Sequence, residues 1–312
     1  MGEELQPAPQ QPDVSIDIVI AQIKPKKADY GHNLAHIGEV MQQLALEKTP
    51  CDVLVLPETV TTGYFLEGGV REMAVTREQL LVDLRNEYVR SGLQKPLDIV
   101  IGFYELGDGN YYNSGMYATL APELAESKIV HVHRKFFLPT YGVFDEQRFV
   151  SKGRSIQAFD TRFGRAVVLI CEDIWHSISA TIAALKGAHL FYVLTASPGR
   201  GFKEDVIGNA AKYRQLLVAI AEEHNVFAIN SSLVGFEGGK GFIGHSAVFD
   251  PFGNKLVEGP LAEEAILTAR ITLDDLNIAR ANLPLLGDLE TNLADISLEI
   301  QRIVQGMDQP EK

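Results

Sequence analysis

The sequence predicts an α/β protein. Three observations carry that prediction: short β-branched runs recur along the chain, amphipathic stretches of helical period lie between them, and Gly/Asn/Asp/Pro turns join some runs directly. The predicted strands are Asp17 to Ile23, Val53 to Leu56, Asp98 to Phe103, Ala166 to Ile170, Leu190 to Thr195, Val226 to Ser231 and Ser246 to Phe249. Helical periodicity is clearest from Asn33 to Leu46, Arg77 to Arg90, Ile174 to Lys186, Val206 to His224 and Asp288 to Val304, where apolar residues return every three or four positions. Helices are therefore expected to cover the strands. Gly107-Asp108-Gly109-Asn110 and Asp250-Pro251-Phe252-Gly253-Asn254 read as hairpin connections, so some neighbouring strands should be antiparallel.

At 312 residues and 46% hydrophobic composition the chain can bury a large core. The absence of an internal repeat, a Ser/Gly-rich linker or a compositional shift predicts one domain over residues 14–285, preceded by a disordered Gln/Pro/Glu-rich leader, residues 1–13, and followed by a C-terminal helical tail, residues 286–312. Its apolar runs are strand-sized and fall short of the roughly 18 residues that suggest a membrane span, and a cytoplasmic location is the default expectation. A formal charge of −13 opposes binding to nucleic acid or anionic lipid. Cys51 and Cys171 are expected to be free thiols, because a chain this large needs no staple.

Three residues at the ends of apolar runs could carry chemistry. Cys171 follows Ala166 to Ile170 and precedes Glu172-Asp173-Ile174-Trp175, where a strand gives way to a helix; amides and the helix dipole there favour a thiolate, lowering the thiol pKa. By itself Cys171 reads better as a small buried hydrophobe. Glu58 ends the run Val53-Leu54-Val55-Leu56-Pro57, at the edge where α/β sheets bind ligands, and partly apolar surroundings would suit it as a base; alone it reads as a solvated loop carboxylate. Lys135 lies on one face of a strand-like run and is followed by Phe136, Phe137, Leu138 and Pro139. Most lysines are solvated, but a desolvated ammonium needs an anion or an anionic transition state beside it.

At these positions the segments LPET, HRKFFLPTYGVFDEQRF and LICEDIW resemble the nitrilase, or carbon–nitrogen hydrolase, superfamily, in order and approximate spacing, from about Val19 to Pro284. Within it the chain is most similar to the glutamine-hydrolysing domain of glutamine-dependent NAD synthetases. The resemblance implies a four-layer αββα sandwich and a homodimer stacked through helices near the nucleophile, for which Ile174 to Leu185 has suitable apolar content. It implies Cys171 as nucleophile, Glu58 as general base, Lys135 as the oxyanion-stabilising cation and Glu146 as a second glutamate ordering them. Tyr64, Tyr141, Phe144, Glu172 and Ser197 fall where that subgroup contacts glutamine. The implied activity is amide hydrolysis on a small-molecule amide through an acyl-thioester, with no metal or organic cofactor; nitrile or N-carbamoyl amide hydrolysis is the alternative within the same chemistry. The chain carries no Ser-Gly-Gly pyrophosphate loop of an adenylating domain, so the expectation is a stand-alone amidase or the glutaminase subunit of a separately encoded, ammonia-using synthetase. A non-catalytic scaffold would have no need of Glu58, Lys135, Glu146 and Cys171 together.

Weaker signals have plainer readings. His131 and His133 alternate on a strand and lack a third metal ligand at suitable spacing, so they are expected to be a satisfied edge-strand pair. Gly235 to Gly241 fails as a phosphate loop, because Val234 and Gly241 stand where Gly and Ser or Thr are needed, and is expected to be a flexible loop near the site. Cys51 reads as a small buried residue, and Arg200 and Lys203 as solvated loop charges, with contact to an anionic substrate group as the alternative.

Overall fold

The computed structural model describes residues 14–200, 202–203 and 206–306, with the backbone alone at 202, 203 and 206. The leader assigned to residues 1–13, the end of the C-terminal tail and the side chain of Lys203 lie outside the described residues.

Two six-stranded mixed sheets form the centre. In the first the order is Ala265–Thr272, Ser15–Gln22, Val53–Val55, Leu97–Gly107, Asn110–Leu120 and Lys128–Arg134; in the second it is Lys255–Glu258, Ala247–Phe249, Phe227–Ser232, Leu190–Thr195, Gly164–Ile170 and Phe159–Thr161. Each sheet has three parallel strands at its heart and antiparallel strands outside them. Both expected hairpins are present, joining Leu97–Gly107 to Asn110–Leu120 and Ala247–Phe249 to Lys255–Glu258.

Alternation explains the layers. Ile18, Ile20, Val53, Val55 and Val100 point from the first sheet into a central core that Val168, Tyr192, Leu194, Ile229 and Val248 enter from the second. Their neighbours Val19, Ala21, Leu54, Ile99 and Ile101 face outward onto the helices Tyr30–Glu47 and Arg77–Ser91. Val167, Leu169, Phe191 and Val193 face the helices Ser177–Leu185 and Gly208–His224. The result is the expected αββα sandwich, and burial on both faces is why its strands read as unbroken apolar runs. The first-sheet helices begin at Asp29 and Thr76, whose side chains accept from His32 N and Gln79 N, and end at the left-handed residues Lys48 and Gly92.

Three sequence expectations change. The helix read from Ile174 is preceded by a 3₁₀ turn, Cys171–Trp175, and begins at Ser177. The helix read from Asp288 to Val304 is two helices, Leu285–Thr291 and Leu293–Gln305, divided at Asn292. Gly235 to Gly241 lies in a β-hairpin, Val234–Glu237 against Lys240–Ile243. Among the described residues no helix is long and apolar enough to cross a membrane.

Candidate active site

Glu58 is placed by the end of its strand. Leu56 N still bonds Val100 O at 2.8 Å, whereas Pro57 has no N–H to give and its carbonyl accepts from Gly102 N at 3.1 Å. Thr59 then turns the chain with φ 48°. Glycine is required at 102, because a Cβ there would stand 2.5 Å from Glu58 Cα and 2.6 Å from Pro57 O. The Glu58 side chain is fully buried.

Lys135 follows the edge strand Lys128–Arg134, its N–H bonded to Asn113 O at 2.9 Å and its carbonyl to Gly153 N at 2.7 Å. Its ammonium donates to Glu58 Oε1 at 2.9 Å and to Glu146 Oε1 at 2.6 Å. Asn113 Nδ2 donates to the same Glu58 oxygen at 2.8 Å, and the Tyr64 hydroxyl to the same Glu146 oxygen. Glu58 Oε2 and Glu146 Oε2 have no hydrogen-bond partner among the described residues. Burial works against the Lys135 charge, but Glu146 and Glu58 hold its pKa well above the ordinary lysine value, so it is a fixed cation. Burial, with the Glu58 charge beside it and Lys135 pulling the other way, pushes Glu146 up to about 7.

Cys171 directly follows the strand Gly164–Ile170 and takes a left-handed φ of 46°, a conformation that costs a non-glycine residue about 1–3 kcal/mol. Asp173 holds this bend: its Oδ2 accepts from Ile170 N at 3.0 Å and lies 2.8 Å from His133 Nε2, while Oδ1 accepts from Phe136 N at 3.0 Å and Phe137 N at 2.9 Å. One carboxylate thus ties the cysteine turn to the segment that follows Lys135. It also accounts for His133, whose ring is taken by Asp173; His131 stacks on Phe159 at 4.5 Å. Cys171 Sγ lies 3.1 Å from the hydroxyl of Tyr213, rather than in a hydrogen bond to Glu58. The expected lowering of the thiol pKa is reversed. Burial, then the Glu58 charge, push it well up, and Lys135 and the Tyr213 hydrogen bond only partly offset them, so the resting sulfur is a thiol. Cys51 is also free, half-buried at the edge of the first-sheet core.

Of the residues expected to meet substrate, Tyr64 bonds Glu146, Phe144 packs on Tyr64 and Tyr141 packs on Phe144. Tyr64, Phe65, Phe144 and Phe242 pack as one aromatic group. Tyr64, Phe144 and Glu146 line a cavity of about 220 Å³. Tyr141 is half-exposed and donates to both Glu172 oxygens at 2.8 and 3.0 Å. Ser197 Oγ accepts from Asn209 Nδ2 at 2.7 Å, and the Arg200 guanidinium sits 4.8 Å from the Phe144 ring centre. The hairpin Val234–Glu237 against Lys240–Ile243 is fastened by Glu237, which accepts from Tyr64 N and Phe65 N, both at 2.9 Å. A larger cleft of about 530 Å³, lined by Arg77, Arg134, Lys152 and Arg154, includes none of Glu58, Lys135, Glu146 and Cys171.

Sequence reading missed Asn113, Asp173, Tyr213 and Glu237. Asp173 had a signal in its place two residues after Cys171; Tyr213, four before Leu217 on a helix face, looks like core.

The family model described as carbon-nitrogen hydrolase matches residues 18–281. The chain is similar to a glutamine-dependent NAD(+) synthetase of Thermotoga maritima, 29% identical over 264 residues that cover 83% of this chain and 42% of the relative. It is 28% identical to a 2-oxoglutaramate amidase of Bacillus subtilis over 269 residues, 85% of this chain and 95% of the relative. The chain thus spans less than half the length of the synthetase and nearly all of the amidase. The crystal structure of a carbon-nitrogen hydrolase from Helicobacter pylori G27 superposes with a TM-score of 0.75 at 21% identity, over 90% of this chain and 99% of that one, a likeness of fold.

Proposed function

The chain belongs to the carbon–nitrogen hydrolase family, and we propose that it is an amidohydrolase acting on a small carboxamide through Cys171, Glu58 and Lys135. The observation that carries this reading is the buried cluster itself. A lysine fixed between two carboxylates, each with one oxygen left unpaired, and a thiol beside them unite a base, a nucleophile and a cation in a buried site.

In this mechanism Glu58 Oε2 takes the thiol proton as sulfur attacks the amide carbonyl. The developing oxyanion is held by the Lys135 ammonium and by Glu172 N–H, in the first turn of a helix, where amides lack partners within the helix. Protonated Glu58 gives its proton to the leaving nitrogen and ammonia departs. Glu58 then activates the water that cleaves the thioester, and the acid leaves. Because the resting sulfur is a thiol, proton removal is coupled to attack.

The substrate reading is glutamine-like. Glu172, next to Cys171 and oriented by Tyr141, is a carboxylate suited to an α-ammonium, with Tyr64 and Ser197 assigned to the other end of the substrate. The likeness to the 2-oxoglutaramate amidase supports turnover by the chain alone, and the likeness to the synthetase supports a second reading, in which a partner consumes the ammonia. A cytoplasmic homodimer is part of the proposal. The test compares glutamine with small aliphatic amides as substrates of Glu172→Gln: glutamine turnover should fall selectively, and an equal effect on both sinks this pocket assignment. Nitrogen release from nitriles, or carbon dioxide from ureido acids, would favour the alternative chemistries.

A further inference from the structure

The contact between Cys171 Sγ and the Tyr213 hydroxyl, at 3.1 Å, has no part in the mechanism above. Tyr213 belongs to the helix Gly208–His224 and is buried. Its ring stands edge-on to Trp175, with centroids 5.4 Å apart, and Trp175 closes the 3₁₀ turn that Cys171 opens. Hydroxyl and sulfur are therefore held from both sides, by the helix and by the turn.

A phenol can accept from a thiol or donate to a thiolate. Burial and the neighbouring Cys171 hold the Tyr213 phenol well above its ordinary value, so beside a sulfur anion it can only donate. Among the groups that act on the sulfur, Glu58 and Glu146 oppose its ionisation, while Lys135 and Tyr213 favour it. The Lys135 ammonium already serves both carboxylates.

We propose that Tyr213 is a catalytic residue of this chain, its hydroxyl donating a hydrogen bond to the Cys171 sulfur so that the thiol proton is free to pass to Glu58 and the sulfur anion keeps a donor. In that step the S–H bond breaks and an O–H bond forms on Glu58; the Tyr213 proton is never transferred. The same hydrogen bond serves the sulfur again when it leaves as the thioester is hydrolysed. The inference rests on Cys171 being the nucleophile.

Tyr213→Phe keeps the ring and its contact with Trp175 and removes only the hydroxyl. Hydrogen bonds to charged groups typically contribute enough to change a rate by roughly 10- to 100-fold. The variant should lose kcat by that factor with KM held within about twofold. Alkylation of Cys171 by iodoacetamide should slow likewise, with the rising limb of its pH profile displaced upward. Unchanged kcat and alkylation would overturn the proposal, as would slower alkylation whose pH limb has not moved. Should Tyr213→Phe lose its fold by melting, fluorotyrosine at 213, a stronger donor of similar size, should speed alkylation; no change would overturn the proposal. A wild type that neither acylates nor alkylates at Cys171 would sink the nucleophile assignment itself, whereas an active wild type with an indifferent Tyr213→Phe sinks only this one.

Discussion

The Lys135 ammonium lies 2.9 Å from Glu58 Oε1, in an ion pair from which solvent is excluded on both sides. Such a pair adds little net stability, because desolvation consumes most of the attraction, but losing one partner costs about 3–5 kcal/mol. The pair makes better sense as a prepared electrostatic site than as a staple. It fixes Glu58 through one oxygen, leaves the other unpaired, and keeps a cation in a buried place.

Lys135→Met should therefore lower kcat by about 10²- to 10³-fold, the range for losing one oxyanion donor. It should also lower the melting temperature, since Glu58 and Glu146 would face each other uncompensated. Adding Glu146→Gln should recover much of the melting temperature and none of the rate. A single variant within tenfold of wild-type kcat would show that Lys135 is structural.

Glu146 is raised from 4.5 to about 7 in the folded protein, so between those values the native state holds a proton that the unfolded chain has lost. The stability this contributes is fully present below about pH 4.5 and is lost as pH rises through about 7, an effect on the order of a few kcal/mol. Wild type should thus lose stability across that window relative to Glu146→Gln. Parallel denaturation curves at every pH would contradict the assignment.

Gly102→Ala introduces a methyl group 2.5 Å from Glu58 Cα, a backbone atom that cannot swing away. The Glu58 loop must shift, and because displacements near 1 Å can cost about 10²-fold in rate, kcat should fall at least tenfold while Cys171 still alkylates. Unchanged turnover would mean that the position of Glu58 is not critical.

Asp173→Asn places an NH₂ group where Oδ2 or Oδ1 now accepts from backbone N–H groups. At least one buried donor loses its acceptor, at about 1–3 kcal/mol. Melting temperature and kcat should fall together, because the Cys171 bend and the segment after Lys135 share this one carboxylate. A normal rate in a destabilised protein would separate the two.

Much of this was legible in the sequence because the strands are apolar on both faces: Val53–Val55, Gly164–Ile170 and Leu190–Thr195 stand out without any knowledge of their partners. Asn110–Leu120 did not, although most of it is buried. Asn113, Ser114 and Gly115 interrupt its apolar pattern, and each is explained only by the tertiary structure: Asn113 binds Glu58, Ser114 donates to Glu105 Oε2 at 2.7 Å, and a Cβ at Gly115 would meet Val168 at 2.6 Å. The motifs likewise singled out Glu58, Lys135 and Cys171, but the direction of the thiol pKa depends on the burial and nearby carboxylates that folding supplies. A strand-to-helix junction suggests a lowered pKa; the enclosed sulfur has a raised one. Tyr213 was hidden for the opposite reason, since a tyrosine four residues before Leu217 is what a core face looks like.

The most direct test is intact-protein mass spectrometry of wild type and Cys171→Ala during turnover of glutamine, with ammonia assayed in parallel and a panel of aliphatic amides alongside. An acyl adduct should form on the wild type alone, with ammonia released, and neither adduct nor ammonia should come from Cys171→Ala. Ammonia release that persists in Cys171→Ala would contradict Cys171 as the nucleophile.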